Sequence, residues 1–309
     1  MKGFWIAGAI CLTFGIIIFA IGAAGLSADS VVYQNVEESF DGGIRGISVD
    51  CSAEDVYIRP STDDEYHVFC SGLDKTSFNI EVSDGILTVT STTEVWDSFL
   101  ALNFGDGAKI TVQMPVTNSV VPVESLTVDT ASGDIQVADG LLFRHCDLST
   151  ASGNIIFKGN VQGKINIETT SGDIAVEDVS LAPAYECILN STSGTINVKG
   201  LNVSALIAET TSGDACLENC DIGALTVNTV SGDVELEGVD ADECYIRATS
   251  GDVSAGFAKE MDFQCSSTSG DIETPPSAAN GGLCQITTTS GDIEVWIYSK
   301  NATARSDKK

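Results

Sequence analysis

The sequence is short of cations, histidine, aromatic rings and paired metal-binding cysteines. Lys and Arg number 15 against 44 Asp and Glu, a formal charge of -29. A field of that sign repels nucleic acid and anionic lipid, so DNA and RNA are set aside as partners. The two histidines, His67 and His145, have no recognisable nucleophile motif beside them. They read as surface or strand residues rather than as catalytic groups. No Cys-x-x-Cys pair occurs among ten cysteines, and Cys216-Leu-Glu-Asn-Cys220 has no histidine nearby, which argues against zinc. Aromatics make up 7% of the chain, leaving few platforms for sugar rings.

What is present is apolar residues and glycine: 43% hydrophobic and 30 Gly in 309 residues, enough to bury a sizeable core. Phe4 to Leu26 carries no charge and is long enough to cross a hydrocarbon layer of about 30 Å. Lys2 precedes it, and Asp29, Glu37, Glu38 and Asp41 follow it. The expectation is an uncleaved transmembrane anchor over residues 1–28, in preference to a cleaved signal peptide. The amino terminus is then cytoplasmic and the rest of the chain extracellular.

Nine Ser-Gly pairs punctuate the chain, at Gly133, Gly153, Gly172, Gly194, Gly213, Gly232, Gly251, Gly270 and Gly291, spaced 20, 19, 22, 19, 19, 19, 19 and 21 residues. Seven and five residues before each glycine, and two after, the residues are apolar, with polar or small ones between. This is the period-two pattern of short strands with one buried face. Pairs such as Leu201 with Val203, Cys220 with Ile222 and Val239 with Ala241 predict a third short face. The expected fold is all-β: a parallel β-solenoid of about nine 19–22-residue coils over residues 125–298. A helical solenoid is disfavoured by the recurrent glycines among Thr, Val and Ile. In the Thr-Ser-Gly-Asp phrase, glycine is expected to supply positive φ at a tight corner, and Thr hydroxyls to form ladders between coils. Recurrence in every coil marks the phrase as scaffold rather than a catalytic centre.

Residues 29–124 lack the repeat but keep a strand pattern, and Cys51 to Ile58 looks like a degenerate copy of the corner phrase. A β-rich cap over the first coil is expected there. Trp296 and Tyr298 are placed to cover the last coil, and residues 299–309 form a basic tail expected to be disordered.

The anchor, the "SAEDVYI" phrase and the repeated "TTSGDI" and "TVSGDV" phrases resemble a bacterial putative-adhesin family with β-strand repeats, over roughly residues 40 to 298. The resemblance implies a β-solenoid at the cell surface and no catalytic residue; Asn154 and Thr195 depart from its corner Asp. It points to an interaction protein meeting a surface polymer or envelope protein, and not to an enzyme. The alternatives are an envelope-stress or signalling accessory with a membrane partner, and a polysaccharide-acting β-helix enzyme.

Seven corner carboxylates, Asp134, Asp173, Asp214, Asp233, Asp252, Asp271 and Asp292, should stack along one edge. They are a weak candidate ladder for structural calcium, against the plainer reading that each caps its own turn. Cys146, Cys187, Cys244 and Cys284 share one apolar column, with Cys244 and Cys284 expected two coils apart and too far for a bridge. Cys51 and Cys70 are the best candidate pair, and Cys216 is expected to face outward.

Overall fold

The computed structural model describes residues 33–73, 76–93, 108–116, 122–179 and 185–298. The apolar stretch at residues 4–26, Cys11 and the basic tail lie outside the described residues. Among the described residues every regular element is a strand, and no helix is long and apolar enough to cross a membrane.

Each Ser-Gly corner joins two strands that belong to two different sheets, an upstream sheet before the corner and a downstream sheet after it. Around Gly213, Asn202–Ser212 leads in and Ala215–Glu218 leads out. Equivalent strands of successive coils pair in parallel and in register: Leu206 lies between Cys187 and Leu225, and Ala215 between Ile196 and Val234. The apolar columns point inward and are buried, with Leu126, Ile165, Leu206 and Leu225 at 0% exposure. The third face exists as two-residue ladders, in which Val203 pairs with Ile222 and Ile222 with Ala241. The nine corners bound about eight turns of parallel β-solenoid, one fewer than the count of Ser-Gly pairs suggests.

The corner itself is held by three contacts. The glycine is needed because the backbone of the next coil sits where a Cβ would be: a Cβ on Gly213 would overlap the carbonyl of Gly194, and one on Gly232 that of Gly213. Positive φ is not the reason, since Gly133, Gly153, Gly172, Gly194, Gly213, Gly232 and Gly270 do not adopt it. The Thr three residues earlier donates its hydroxyl to that same carbonyl in the neighbouring coil, as in Thr169 to Gly153 (3.1 Å) and Thr210 to Gly194 (3.3 Å). The Asp after the glycine accepts a backbone N–H from the adjacent corner, as Asp214 does from Asp233 and Asp233 from Asp252, both at 2.8 Å. These Asp side chains therefore cap the neighbouring coil's turn rather than their own.

The chain does not stack in sequence order at either end. The coil at Gly251 pairs with the coil at Gly291, setting Val253 against Ile293 and Cys244 against Cys284. The Gly291 coil pairs in turn with the Gly270 coil through Ile293 with Ile272 and Cys284 with Phe263. The last coil in the sequence is thus next to last in the stack, and Cys244 and Cys284 are direct neighbours rather than two coils apart. Gly281 and Gly282 thread the return, because a Cβ there would meet the backbone of Met261 and of Asp242. The Gly270 coil takes the open end, which leaves Phe263 and Cys265 only half-buried and Ile272 44% exposed.

At the other end, Gly46–Cys51 lies between Val123–Thr130 and Ile86–Thr93, while Asp55–Ser61 lies between Ile135–Val137 and Lys109–Pro115. The phrase at Cys51 to Ile58 is a corner in this stack. Asp55 accepts the N–H of Asp134 at 2.9 Å, and Glu54 occupies the glycine position beneath Gly133. Glu54 is 2% exposed, and its carboxylate takes the Ser91 hydroxyl at 2.8 Å. Antiparallel strands then close this end, with Tyr66–Leu73 and Tyr33–Phe40 on one sheet and Thr76–Ser83 on the other. Antiparallel additions cover the parallel edge with strands that cannot continue the spiral.

Trp296 and Tyr298 do not cover an end. They lie against Gly256 on the outer side of the downstream sheet, and Tyr298 donates to Glu237 at 2.9 Å.

Because the corner glycine faces backbone, Gly213→Ala should cost about 3 kcal/mol or more, whereas Gly42→Ala, with nothing within 4 Å, should cost well under about 1 kcal/mol. Denaturant midpoints of the two variants check this; equal midpoints would remove the steric account.

Candidate functional site

A strand with one buried face must display its other side chains, so a stack of coils turns every outward position into a column running the length of the rod. On the upstream sheet one column reads Asp129, Ser149, Glu168, Asn190, Glu209, Asn228, Arg247. Acids alternate with neutral or amide residues, and the amides bond to their acid neighbours: Asn228 donates to Glu209 at 2.8 Å and Asn190 to Glu168 at 3.4 Å. On the downstream sheet Glu177, Lys199, Glu218 and Glu237 are aligned. Lys158 pairs with Glu177 at 2.6 Å and Lys199 with Glu218 at 3.1 Å. Such exposed pairs add little to stability, and their main effect is to keep like charges apart.

A shallow groove of about 250 Å³ opens on this downstream face, lined by Glu177, Asn197, Lys199, Cys216, Glu218, Glu235 and Glu237 among others. Its carboxylates and Asn197 suit hydroxyl-rich or cationic partners, with Val198 and Leu217 as the apolar part of the lining. Cys216 faces outward here, half-buried, with its thiol pKa raised by burial and then by the charges of Glu235, Asp214 and Asp233. It is the wrong direction for a reactive nucleophile.

The corner carboxylates stand together as expected, and the structure gives their order along the edge: Asp134, Asn154, Asp173, Thr195, Asp214, Asp233, Asp252, Asp292 and Asp271. Asn154 and Thr195 interrupt the charge in one half and leave five consecutive carboxylates in the other. Asn154 keeps the ladder intact, since its side-chain oxygen takes the N–H of Asp173 at 2.9 Å. Asp134, Asp173, Asp214, Asp233, Asp252 and Asp292 each spend one oxygen on a backbone N–H. Among the described residues, no group of three or more His, Cys, Asp or Glu side chains is arranged to hold a metal ion.

The nine described cysteines are all free thiols. Cys51 and Cys70 are buried and unbridged at the capped end, where burial, the first cause in each case, pushes their thiols up to about 11 and about 12. Cys187, in the core column, is pushed up to about 12, first by burial and then by Cys220 and Glu186. Cys244 lies well above the usual thiol range, first through its hydrogen bond with Cys284 and then through burial.

One constellation escapes sequence reasoning. Ser39 Oγ lies 2.8 Å from His67 Nδ1, and Asp63 lies 2.9 Å from His67 Nε2. Ser39 and His67 are direct partners across two antiparallel strands, which no local spacing reveals. The ring is reversed relative to a serine-hydrolase triad, in which the acid holds Nδ1 and the hydroxyl faces Nε2. The groove on the downstream face is not lined by these residues. Ser61 and the Glu65 N–H also bond to Asp63, and these contacts with His67 bring its carboxyl down to about 2. The cluster ties the outermost strand to its neighbour. His145 lies elsewhere, exposed on the rod's side, and takes the Lys164 N–H on Nδ1 at 3.4 Å.

The family model described as Toastrack DUF4097 matches residues 44–219 and again 184–308, two overlapping passes along one repeat. No curated protein matches the chain. Among solved structures, one described as a putative adhesin from Parabacteroides distasonis aligns at 16% identity and TM-score 0.50, covering 85% of this chain and 97% of that one. Putative adhesins from Parabacteroides merdae (16%, TM-score 0.49, covering 85% and 96%) and Bacteroides fragilis (15%, TM-score 0.46, covering 88% and 100%) also align. At these identities the likeness concerns the fold.

Asp233→Asn keeps the acceptor and should leave stability nearly unchanged, while Asp233→Ala hands the exposed Asp252 N–H to water and should cost about 0.5–1.5 kcal/mol. Urea unfolding of both separates an acceptor role from a purely charged one. A second expectation concerns alkali. A thiol raised in the folded state contributes fully below its unfolded value near 9 and loses that contribution as pH climbs toward about 12. Melting temperature should therefore fall above pH 9, and Cys187→Val should flatten the fall.

Proposed function

The chain belongs to the Toastrack DUF4097 family, and on that premise we propose that it is a membrane-anchored surface interaction protein, a rod held by residues 4–26 with its repeat region outside the cell. The observation that carries this reading is the run of aligned outward columns on both sheets, mostly polar and repeated coil after coil, with Ile188 and Ile207 as apolar members of one. A surface that repeats at the strand spacing of about 4.8 Å can meet a repeating polymer at many points, so contacts that are individually weak add through avidity. The adhesin descriptions of the Parabacteroides and Bacteroides structures support the same reading. The partner is a surface polymer or an envelope protein, and no enzymatic step is assigned.

An envelope-signalling role would act through a second membrane protein packed against the apolar segment. Crosslinking in intact cells would retrieve that protein if the role were real.

Protease shaving of intact cells, read by mass spectrometry, tests the topology. Release of peptides from residues 125–298, with a retained stump near residues 4–26, is expected. Full protection until lysis would refute an outward-facing rod.

A further inference from the structure

The rod has a second groove, of about 310 Å³, lined by Arg144, His145, Gln162 and Tyr185. We propose that it is a binding site for a carboxylate-bearing sugar of a polysaccharide. The inference deepens the surface-interaction reading and rests on it.

The first observation is one of charge. In a chain of -29, six of the nine described cations are engaged, and Arg144 is one of three, with Lys109 and Arg247, that are not. Lys158, Lys164, Lys199 and Lys259 each pair with an acid, Arg45 donates to the Asp84 carbonyl, and Arg59 lies over the ring of Tyr57. Arg144 forms no ion pair or side-chain hydrogen bond among the described residues, although it is exposed beside acidic columns. In the strand register it stands level with Glu124, without an ion pair, while Lys164 and Glu186 neutralise each other at 3.1 Å. The groove is left with one unspent guanidinium, whose fork matches a carboxylate.

The second observation is one of architecture. Tyr185 is 36% exposed, yet its backbone is pinned: its carbonyl accepts from the Ser204 hydroxyl at 2.7 Å and the Ala205 N–H at 3.3 Å. An aromatic ring held in the open on a fixed backbone is a platform for the apolar face of a sugar ring.

The third is the donor set. Lys164 N–H donates to His145 Nδ1, which places the imidazole proton on Nε2. Gly163 makes room for that ring, since a Cβ there would lie 2.8 Å from it. With the Gln162 amide, the groove offers donors and one acceptor suited to hydroxyls around a single anionic group. At the low end of the about 300–1,000 Å³ typical of small-ligand sites, it suits one or two sugar rings. A densely phosphorylated polymer is a poorer fit, because it brings no ring plane to Tyr185.

The test uses the full-length chain in detergent, titrated calorimetrically with a galacturonic acid tetrasaccharide, its carboxyl-reduced counterpart and a glycerol-phosphate oligomer. Expected is binding of the acidic tetrasaccharide, weakened about ten-fold or more by Arg144→Gln or by carboxyl reduction, and several-fold by Tyr185→Ala. Arg247→Gln, an exposed cation on the same sheet far along the rod, should change nothing. All three side chains are exposed, so circular dichroism should report native folds. No binding of the tetrasaccharide, equal loss with Arg247→Gln, or preference for the phosphate oligomer would overturn the site. These outcomes are separable from failure of the surface reading, which shaving of intact cells reports independently.

Discussion

The rod depends on one glycine carbonyl stacked on another. At each corner the backbone of one coil comes so close to the next that no Cβ fits between them, and the carbonyl there receives a threonine or serine hydroxyl from the adjacent coil. The carboxylate that follows accepts an N–H on the same edge. Corners in a solenoid are where the parallel ladder breaks and backbone groups would otherwise be orphaned. Thr-Ser-Gly-Asp satisfies those groups between coils rather than within one, which is why the phrase must recur and why one copy alone would have no partner.

That dependence makes the two ends of the stack special. A terminal coil has a neighbour on one side only, and its inward residues lose half their cover, as Phe263, Cys265 and Ile272 do. In both halves the chain answers by folding back, so that the coil nearest the chain terminus is clasped between two others. Unravelling from either terminus then has to break two strand interfaces rather than one, which raises the barrier to fraying. At one end antiparallel strands complete the cover, and a buried glutamate stands where the repeat would have glycine.

The surplus of negative charge is managed by the same periodicity. Acids at a strand spacing of about 5 Å would repel, so stretches of the outward columns interleave them with amides or lysines, and six of the seven corner carboxylates take a backbone N–H. What remains is a largely polar, acidic and repetitive surface, interrupted by cationic and aromatic residues at Arg144 with Tyr185 and at Tyr245 with Arg247. A repetitive surface supports extended, low-affinity contact; a local interruption supports recognition of a particular group.

Much of this was legible along the chain. The regular glycine spacing, the alternating apolar columns and the degenerate copy at Cys51 to Ile58 foretell a parallel solenoid, because strand periodicity and corner geometry are local properties. The third face is visible in pairs such as Leu201 with Val203. Which coils touch is not local. Cys244 and Cys284 look two coils apart and are neighbours, because the return through Gly281 and Gly282 reverses the stacking order. Ser39 meets His67, and Arg144 shares a groove with Tyr185, through pairings set by the whole stack. Local sequence determined the shape of each coil through sterics and hydrogen-bond demand; only the tertiary structure decided their order and the sites between them, because that order is settled by which exposed edges must be covered.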